Sequence, residues 1–191
     1  MVEKPLLYFK HHSEWRAWLS KNYNNYNGIY LIFFKVDSSE ESMRWEEAVK
    51  VALCYGWIDS TVKSLGNGKR KQYFSPRKPK SVWSALNKKY LIELHTENLM
   101  HPVGIKSVEI AKNNGSWSEL DDIENLVVPE ELQIEFDKNP LAFSNYQNFA
   151  KSYKKSYLYW LKQAKREATK EKRITQIIKF CEHNIKSRDN W

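Results

Sequence analysis

The chain has 191 residues, of which 41% are hydrophobic, and this length supports one domain, or one domain with a small appendage, around a sizeable core. Its net charge of +8 is compatible with an acidic partner such as nucleic acid. Heavy use of lysine can also reflect the base composition of the genome, which would give the same positive charge without such a partner. The longest apolar run, residues 29–34, is far shorter than the roughly 20 residues that cross a bilayer. Residues 1–10 do not resemble a signal peptide, so we expect a cytoplasmic protein without a membrane span.

The N-terminal half alternates between extended and helical patterns. After a short extended start, Ser13 is a candidate N-cap for a helix that ends near residue 22, and the β-branched and aromatic residues 28–36 predict a buried strand. Residues 57–65 and 71–74 are extended on either side of a Gly-Asn-Gly turn and predict a β-hairpin. Before the hairpin, an apolar stripe with helical spacing predicts a helix with one buried face: Trp45, Ala48, Val49, Ala52 and Leu53.

The sequence after the hairpin is predicted to be mostly helical. Ser81 and Thr169 are candidate N-caps for two helices, and Pro102, Pro129 and Pro140 suit the first turns of three others. These patterns predict an α+β protein with a small N-terminal antiparallel sheet packed with helices, followed by a helical C-terminal half.

The predicted architecture places the α+β region in residues 1–120 and the helical region in residues 121–191. We expect the two regions to pack as one compact unit, because no low-complexity linker separates them.

Charge is unevenly distributed along the chain. Residues 63–89 and 151–173 each contain nine basic side chains, whereas residues 119–137 contain eight acidic side chains and no basic one. The basic segments could contact a nucleic-acid backbone, or they could pack against the acidic segment in the fold. The residues that would contact nucleic acid in the C-terminal half are Lys165, Arg166, Lys172 and Arg173.

Three strings of residues resemble the YdeI/OmpD-associated family, whose members are labelled bacteriocin-protection proteins. The first, at residues 52–60, reads ALCYGWIDS. The second, at residues 73–87, contains YFSPR and KSVWS. The third, at residues 159–174, contains YW, AKR and KRI. The third string, with the helix that begins at Pro129, resembles the small C-terminal domain of the family, and the first two resemble the part that usually precedes it. The resemblance covers about residues 44–184 and implies a role in bacteriocin tolerance or envelope stress, but it implies no reaction and no catalytic residue.

A candidate binding site lies around the predicted hairpin and the helix after it. Trp57 and Asp59 share one face of a strand, and Arg77 follows in a proline-bounded loop before a helix start, where unpaired N–H groups favour anions. The hypothesis is a pocket for a phosphate- or carboxylate-bearing ligand, formed by Trp57, Asp59, Arg77, Lys80, Ser81, Trp83, Ser84 and Asn87. The alternative is that Asp59 and Arg77 form an internal ion pair and that the two tryptophans belong to the core.

Three functions are open at this point. The first is a non-enzymatic cytoplasmic binding protein of the YdeI/OmpD-associated type, and the second is a nucleic-acid-associated protein. The third is an enzyme for a small anionic substrate, with Asp59 as the base and Arg77 as the anchor. Cys54 has no base near it in the sequence, and the five histidines follow no metal-ligand spacing, so we expect neither a catalytic cysteine nor a metal or cofactor.

Overall fold

The computed structural model describes residues 4–187. The chain divides into two compact units, Met1–Glu119 and Leu120–Trp191. Within the described residues, the first unit contains four strands and four helices and the second contains only helices. The predicted α+β class and the helical C-terminal half are therefore confirmed. No helix in the described part of the chain is both long and apolar enough to span a membrane.

The sheet of the first unit has the strand order β1-β2-β4-β3, with β1 at Leu6–Tyr8, β2 at Ile29–Phe34, β3 at Trp57–Gly66 and β4 at Lys69–Pro76. The pairs β2–β4 and β3–β4 are antiparallel, and the second of them is the hairpin that the sequence predicts. The sheet is nevertheless mixed, because β1 pairs in parallel with β2. A strand of three residues carries no sequence signal for its partner, so this pairing could not be predicted.

The two faces of the sheet differ although β2 is apolar throughout. Alternate residues of β2 are buried and half-buried, because successive side chains of a strand point to opposite faces. The face that packs against the helices, called the core face, receives Ile29, Leu31 and Phe33. The opposite face, called the outer face, receives Tyr30, Ile32 and Phe34. The predicted buried strand is therefore fully buried on one face only.

The helices of the first unit are α1 (His12–Asn22), α2 (Trp45–Cys54), α3 (Ala85–Thr96) and α4 (Pro102–Asn113). Four of the five residues of the predicted stripe in α2 are fully or almost fully buried: Ala48, Val49, Ala52 and Leu53. Trp15 of α1 completes this core, since it is fully buried and its Nε1 donates a hydrogen bond to a carbonyl oxygen of α2 at 3.1 Å.

The cap of α3 lies three residues later than predicted. Ser84 is the N-cap and its Oγ accepts a hydrogen bond from the backbone N–H of Asn87 at 3.2 Å. Ser81 does not cap α3, because its Oγ accepts from the backbone N–H of Lys78 at 3.1 Å and closes a turn before the helix. Trp83 consequently precedes α3.

The second unit contains α5 (Asp121–Glu124), α6 (Glu130–Lys138), α7 (Pro140–Asn148), α8 (Lys151–Lys162) and α9 (Glu167–Glu182). Its core is formed largely by apolar and aromatic residues of α6, α7, α8 and α9, among them Leu132, Phe136, Ala142, Tyr146, Tyr157, Leu158, Leu161, Ile174, Ile177 and Cys181.

The last helix begins earlier than its predicted cap. Arg166 occupies the N-cap position of α9, and the backbone N–H of Thr169 donates to the carbonyl oxygen of Arg166 at 3.0 Å. Thr169 therefore lies inside the first turn of α9, and the prediction that it caps the helix is wrong.

Candidate functional site

Trp57, which the sequence analysis includes in the candidate pocket, lies in the core of the first unit. Its side chain is fully buried, and its Nε1 donates a hydrogen bond to the carbonyl oxygen of Tyr23 at 3.0 Å. Its ring meets those of Trp15 and Trp18 edge-on, with centroid distances of 6.2 and 6.3 Å. This geometry is that of a packed core residue whose polar atom is satisfied.

Asp59 lies on the core face, two residues further along β3. Its Oδ2 accepts a hydrogen bond from Trp45 Nε1 at 3.0 Å and a second one from Gln72 Nε2. Trp45 begins α2 and Gln72 lies in β4, so the carboxylate connects three elements of the fold. Asp59 therefore has a structural role in addition to any role toward a ligand.

Arg77 directly follows β4 and lies beside the junction of α2 and β3, because its backbone N–H donates to the carbonyl oxygen of Gly56 at 2.9 Å. The guanidinium stacks on Trp83, with Cζ 3.5 Å from the ring centroid, and Nη1 donates to the carbonyl oxygen of Val82 at 3.1 Å. The other two nitrogens, Nε and Nη2, are buried without a hydrogen-bond partner among the described residues.

No ion pair joins Asp59 and Arg77, both of which the structure describes. Burial lowers the pKa of the Arg77 guanidinium to about 9, and the negative charge of Asp59 opposes this shift. The side chain is thus cationic at neutral pH, but its charge is only partly compensated. A buried charge without a close partner is unfavourable, and a bound anion would relieve this cost.

The two unpartnered nitrogens of Arg77 define a specific chemistry. Nε and Nη2 form one edge of the guanidinium, whose two parallel N–H bonds match the oxygen pair of a carboxylate or phosphate. The third nitrogen holds the side chain in place through Val82. This edge is the part of an arginine side chain that makes bidentate contacts with anions, and in Arg77 it is buried.

The loop that carries Arg77 is fixed at several points. The backbone N–H of Ser81 donates to the carbonyl oxygen of Lys78 at 2.9 Å. The carbonyl oxygen of Pro79 accepts from Asn114 Nδ2 at 2.7 Å and from Ser116 Oγ at 3.3 Å. The end of α4 therefore sets the position of the loop.

The remaining predicted site residues surround Arg77 to different degrees. Trp83 is buried beneath the guanidinium, whereas Lys80 is exposed on the loop. Ser84 and Asn87 are half-buried and cap α3 together, and Ser81 closes its own turn. The structure thus brings Arg77 and Trp83 into contact, and it places Trp57 in the core away from solvent.

A groove that the sequence did not predict lies at the end of the sheet, where the β3–β4 turn, the end of β2 and the start of α2 meet. Its volume is about 770 Å³. Four basic residues line it together with aromatic residues: Lys35, Arg44, Lys69 and Arg70, with Phe33, Phe34 and Trp45. Its one acidic lining residue, Glu46, pairs with Lys50 at 3.1 Å. The basic run that follows the Gly-Asn-Gly turn was the signal that could have indicated it.

The four basic residues predicted to contact nucleic acid in the second unit have different environments. Lys165 and Arg166 border a groove that also contains Asp122 and Glu131. Lys172 is exposed. Arg173 is half-buried, stacks on Trp160 with Cζ 5.1 Å from the ring centroid, and donates from Nη1 to the carbonyl oxygen of the same residue.

Both cysteines are buried and unpaired. Burial raises the pKa of the Cys54 thiol, although Arg16, whose Nη1 lies 3.5 Å from the sulfur, opposes the shift. Burial also raises the pKa of Cys181 to about 12. Both side chains are therefore protonated thiols at neutral pH, the form that is a poor nucleophile.

We expect both thiols to react very slowly with a disulfide reagent such as DTNB while the protein is folded, because reaction requires an exposed thiolate. In urea, both should react at once. The release of thionitrobenzoate measures the two rates. Rapid reaction of one thiol in the folded protein would contradict the buried, protonated state and would restore a nucleophilic role for that cysteine.

These features define a two-unit α+β protein whose first unit holds a stacked arginine–tryptophan pair, in which two guanidinium nitrogens are buried without a hydrogen-bond partner among the described residues. Residues 7–107 match the family model described as Domain of unknown function (DUF8412), and because this match covers more than half of the chain, the chain belongs to that family. Residues 125–184 match the model described as Bacteriocin-protection, YdeI or OmpD-Associated, which confirms the resemblance predicted from the sequence for this C-terminal part of the chain. A search of curated proteins and a search of solved structures each gave no match.

Proposed function

We propose that the protein is a cytoplasmic binding protein that acts in bacteriocin tolerance or envelope stress and recognises a small anion at Arg77. The anion would carry a carboxylate or a phosphate, whose paired oxygens would accept hydrogen bonds from Nε and Nη2. Lys80 and the start of α3, with Ser84 and Asn87, would add positive potential around it.

The observation that carries the proposal is the pair of buried guanidinium nitrogens of Arg77 that lack a partner within the described chain. Buried polar groups in folded proteins are nearly always hydrogen-bonded, so such a pair on one edge of an arginine calls for an acceptor. The match of residues 125–184 to the bacteriocin-protection family supports the biological setting. The two free, buried thiols are what a reducing compartment favours.

The variant Arg77→Lys tests the site. Lysine keeps the charge but loses the planar pair of donors, so we expect it to abolish the rise in melting temperature that wild type shows with inorganic phosphate, pyrophosphate or citrate. An anion at 100 times its Kd would stabilise wild type by about 2.7 kcal/mol, which a thermal-shift assay resolves easily.

Arg173→Lys is the matched control. Arg173 is also half-buried, stacks on a tryptophan and donates to a backbone carbonyl, but no nitrogen of it is buried without a partner. Equal ligand-induced shifts in the two variants would refute the site. A second measurement does not depend on the variant folding: in wild type, the Nε–H NMR signal of Arg77 must move as one of these anions is added. If that signal is unmoved by all three, the proposal fails.

A further inference from the structure

The outer face of the sheet carries aromatic and basic side chains in register. Cross-strand pairing aligns Leu6, Tyr30 and Tyr73 in one row across β1, β2 and β4. A second row contains Tyr8, Ile32, Lys71 and Lys63, and a third contains Phe34 and Lys69. All of these side chains are exposed or half-buried, and none belongs to the hydrophobic core of the unit.

The aromatic rings of the outer face are held in fixed positions. Tyr30 and Tyr73 pair with their centroids 5.1 Å apart, and Tyr8 meets Phe34 edge-on at 5.7 Å. The hydroxyl of Tyr73 donates to the carbonyl oxygen of Asn27 at 3.0 Å, which anchors the ring over Gly28. The rings therefore form a rigid platform rather than a set of free side chains.

Positive charge lies directly on this platform. Lys71 Nζ is 4.6 Å from the Tyr30 ring centroid, Lys69 Nζ is 5.6 Å from that of Phe34, and Lys63 is the cross-strand partner of Lys71. None of the outer-face positions of the three rows is acidic. Glu41, whose carbonyl oxygen accepts from the Tyr8 hydroxyl, has its carboxylate paired with Lys10 at 2.6 Å.

We propose that the outer face binds single-stranded nucleic acid. Unpaired bases stack on aromatic rings, and lysines beside the rings neutralise the phosphates that connect the bases. The outer face supplies both groups at neighbouring positions of one sheet. Binding of this kind needs no sequence readout, and the proposal does not depend on the anion site at Arg77.

The charge and the geometry of the outer face argue against other occupants. A second copy of the chain, docked face to face, would bring lysines against lysines, which is unfavourable. A membrane surface would require apolar side chains that project into the lipid. Of the aliphatic side chains in the three rows only Leu6 is exposed, while the rings are held against their neighbours on the sheet and Tyr73 is tied to the backbone.

The test is fluorescence anisotropy with labelled oligouridine and oligothymidine of about 12 nucleotides, a length within the usual site size for sequence-independent binders. We expect binding by wild type that weakens with salt. Tyr8→Ala and Tyr30→Ala should each weaken it roughly five- to hundredfold, the usual effect of losing one stacked base. Lys71→Ala should reduce the slope of log K against log salt by about 0.7.

Tyr159→Ala and Lys106→Ala are matched controls, since both residues are exposed and lie outside the sheet. Both should bind like wild type. The proposal is overturned if wild type does not bind, if duplex or anionic vesicles bind better than single strands, or if only a Lys165→Ala/Lys172→Ala double variant loses binding. A readout on wild type guards against misfolded variants: crosslinks from a 4-thiouridine oligonucleotide must map to β1, β2 or β4, and crosslinks confined to the second unit would overturn the proposal.

Discussion

Replacing Trp57 by alanine is expected to lower the free energy of unfolding of the first unit by about 3–5 kcal/mol, the usual cost of removing a fully buried tryptophan. The side chain has no exposed surface and packs edge-on against Trp15 and Trp18, which are stacked on each other. Its removal leaves a cavity, and it also leaves the carbonyl oxygen of Tyr23 without its donor. Urea unfolding followed by tryptophan fluorescence measures the change.

Trp57→Phe separates the two contributions. Phenylalanine keeps most of the apolar volume and loses the Nε1 hydrogen bond, so the expected loss is smaller, about 1–3 kcal/mol. Tyr159→Ala, which removes an aromatic ring that is 43% exposed, should change stability by less than about 0.5 kcal/mol. If Trp57→Ala were as stable as wild type, Trp57 would not be a core residue, and its assignment to the candidate ligand pocket would be favoured instead.

Gly104→Ala is expected to destabilise the first unit by about 1–3 kcal/mol or more, as overpacking usually does. A Cβ built on Gly104 would lie 2.2 Å from the carbonyl oxygen of Cys54 and 2.9 Å from that of Leu53. Both atoms are backbone at the end of α2, so a rotamer change cannot remove the clash. Helix propensity alone predicts the opposite sign, a gain of about 0.5–1 kcal/mol for alanine over glycine.

The sign of the change in the free energy of unfolding of Gly104→Ala therefore shows whether the backbone clash or the helix propensity dominates. Lys106→Ala, at an exposed position of the same helix, is the control and should lie within about 0.5 kcal/mol of wild type. Urea unfolding of both variants measures the difference. A Gly104→Ala protein more stable than wild type would show that α2 and α4 are not in close backbone contact.

Local patterns determined much of the fold. The stripe from Ala48 to Leu53 predicted α2 and its buried face, because a 3.6-residue period sets which side chains share a side of a helix. The Gly-Asn-Gly turn predicted the β3–β4 hairpin, since Asn67 and Gly68 adopt the positive φ angles that such turns require. The string around Trp160 identified the family that residues 125–184 match, whereas the string around Trp57 lies in the part that matches the other family model. Each of these signals lies within a few residues of the feature that it predicts.

The candidate site depended on contacts between distant segments. The sequence placed Asp59 and Arg77 in one hypothesis as a ligand pair or an ion pair. In the tertiary structure, Asp59 instead accepts hydrogen bonds from Trp45 and Gln72, and the guanidinium of Arg77 stacks on Trp83. The choice among partners for a charged side chain is made by strand register and helix packing, which short-range patterns do not encode.

What the sequence by itself determined is the class of the protein, its family, most of its helices and the hairpin, because periodicity and turn chemistry act locally. Only the tertiary structure decided that Trp57 is core, that Gly104 must be glycine, and that Tyr30, Tyr73 and Lys71 share an outer face. These facts depend on which segments become neighbours when the sheet and the helices assemble. Many weak packing contacts, formed together, determine that assembly, and no single stretch of the chain encodes it.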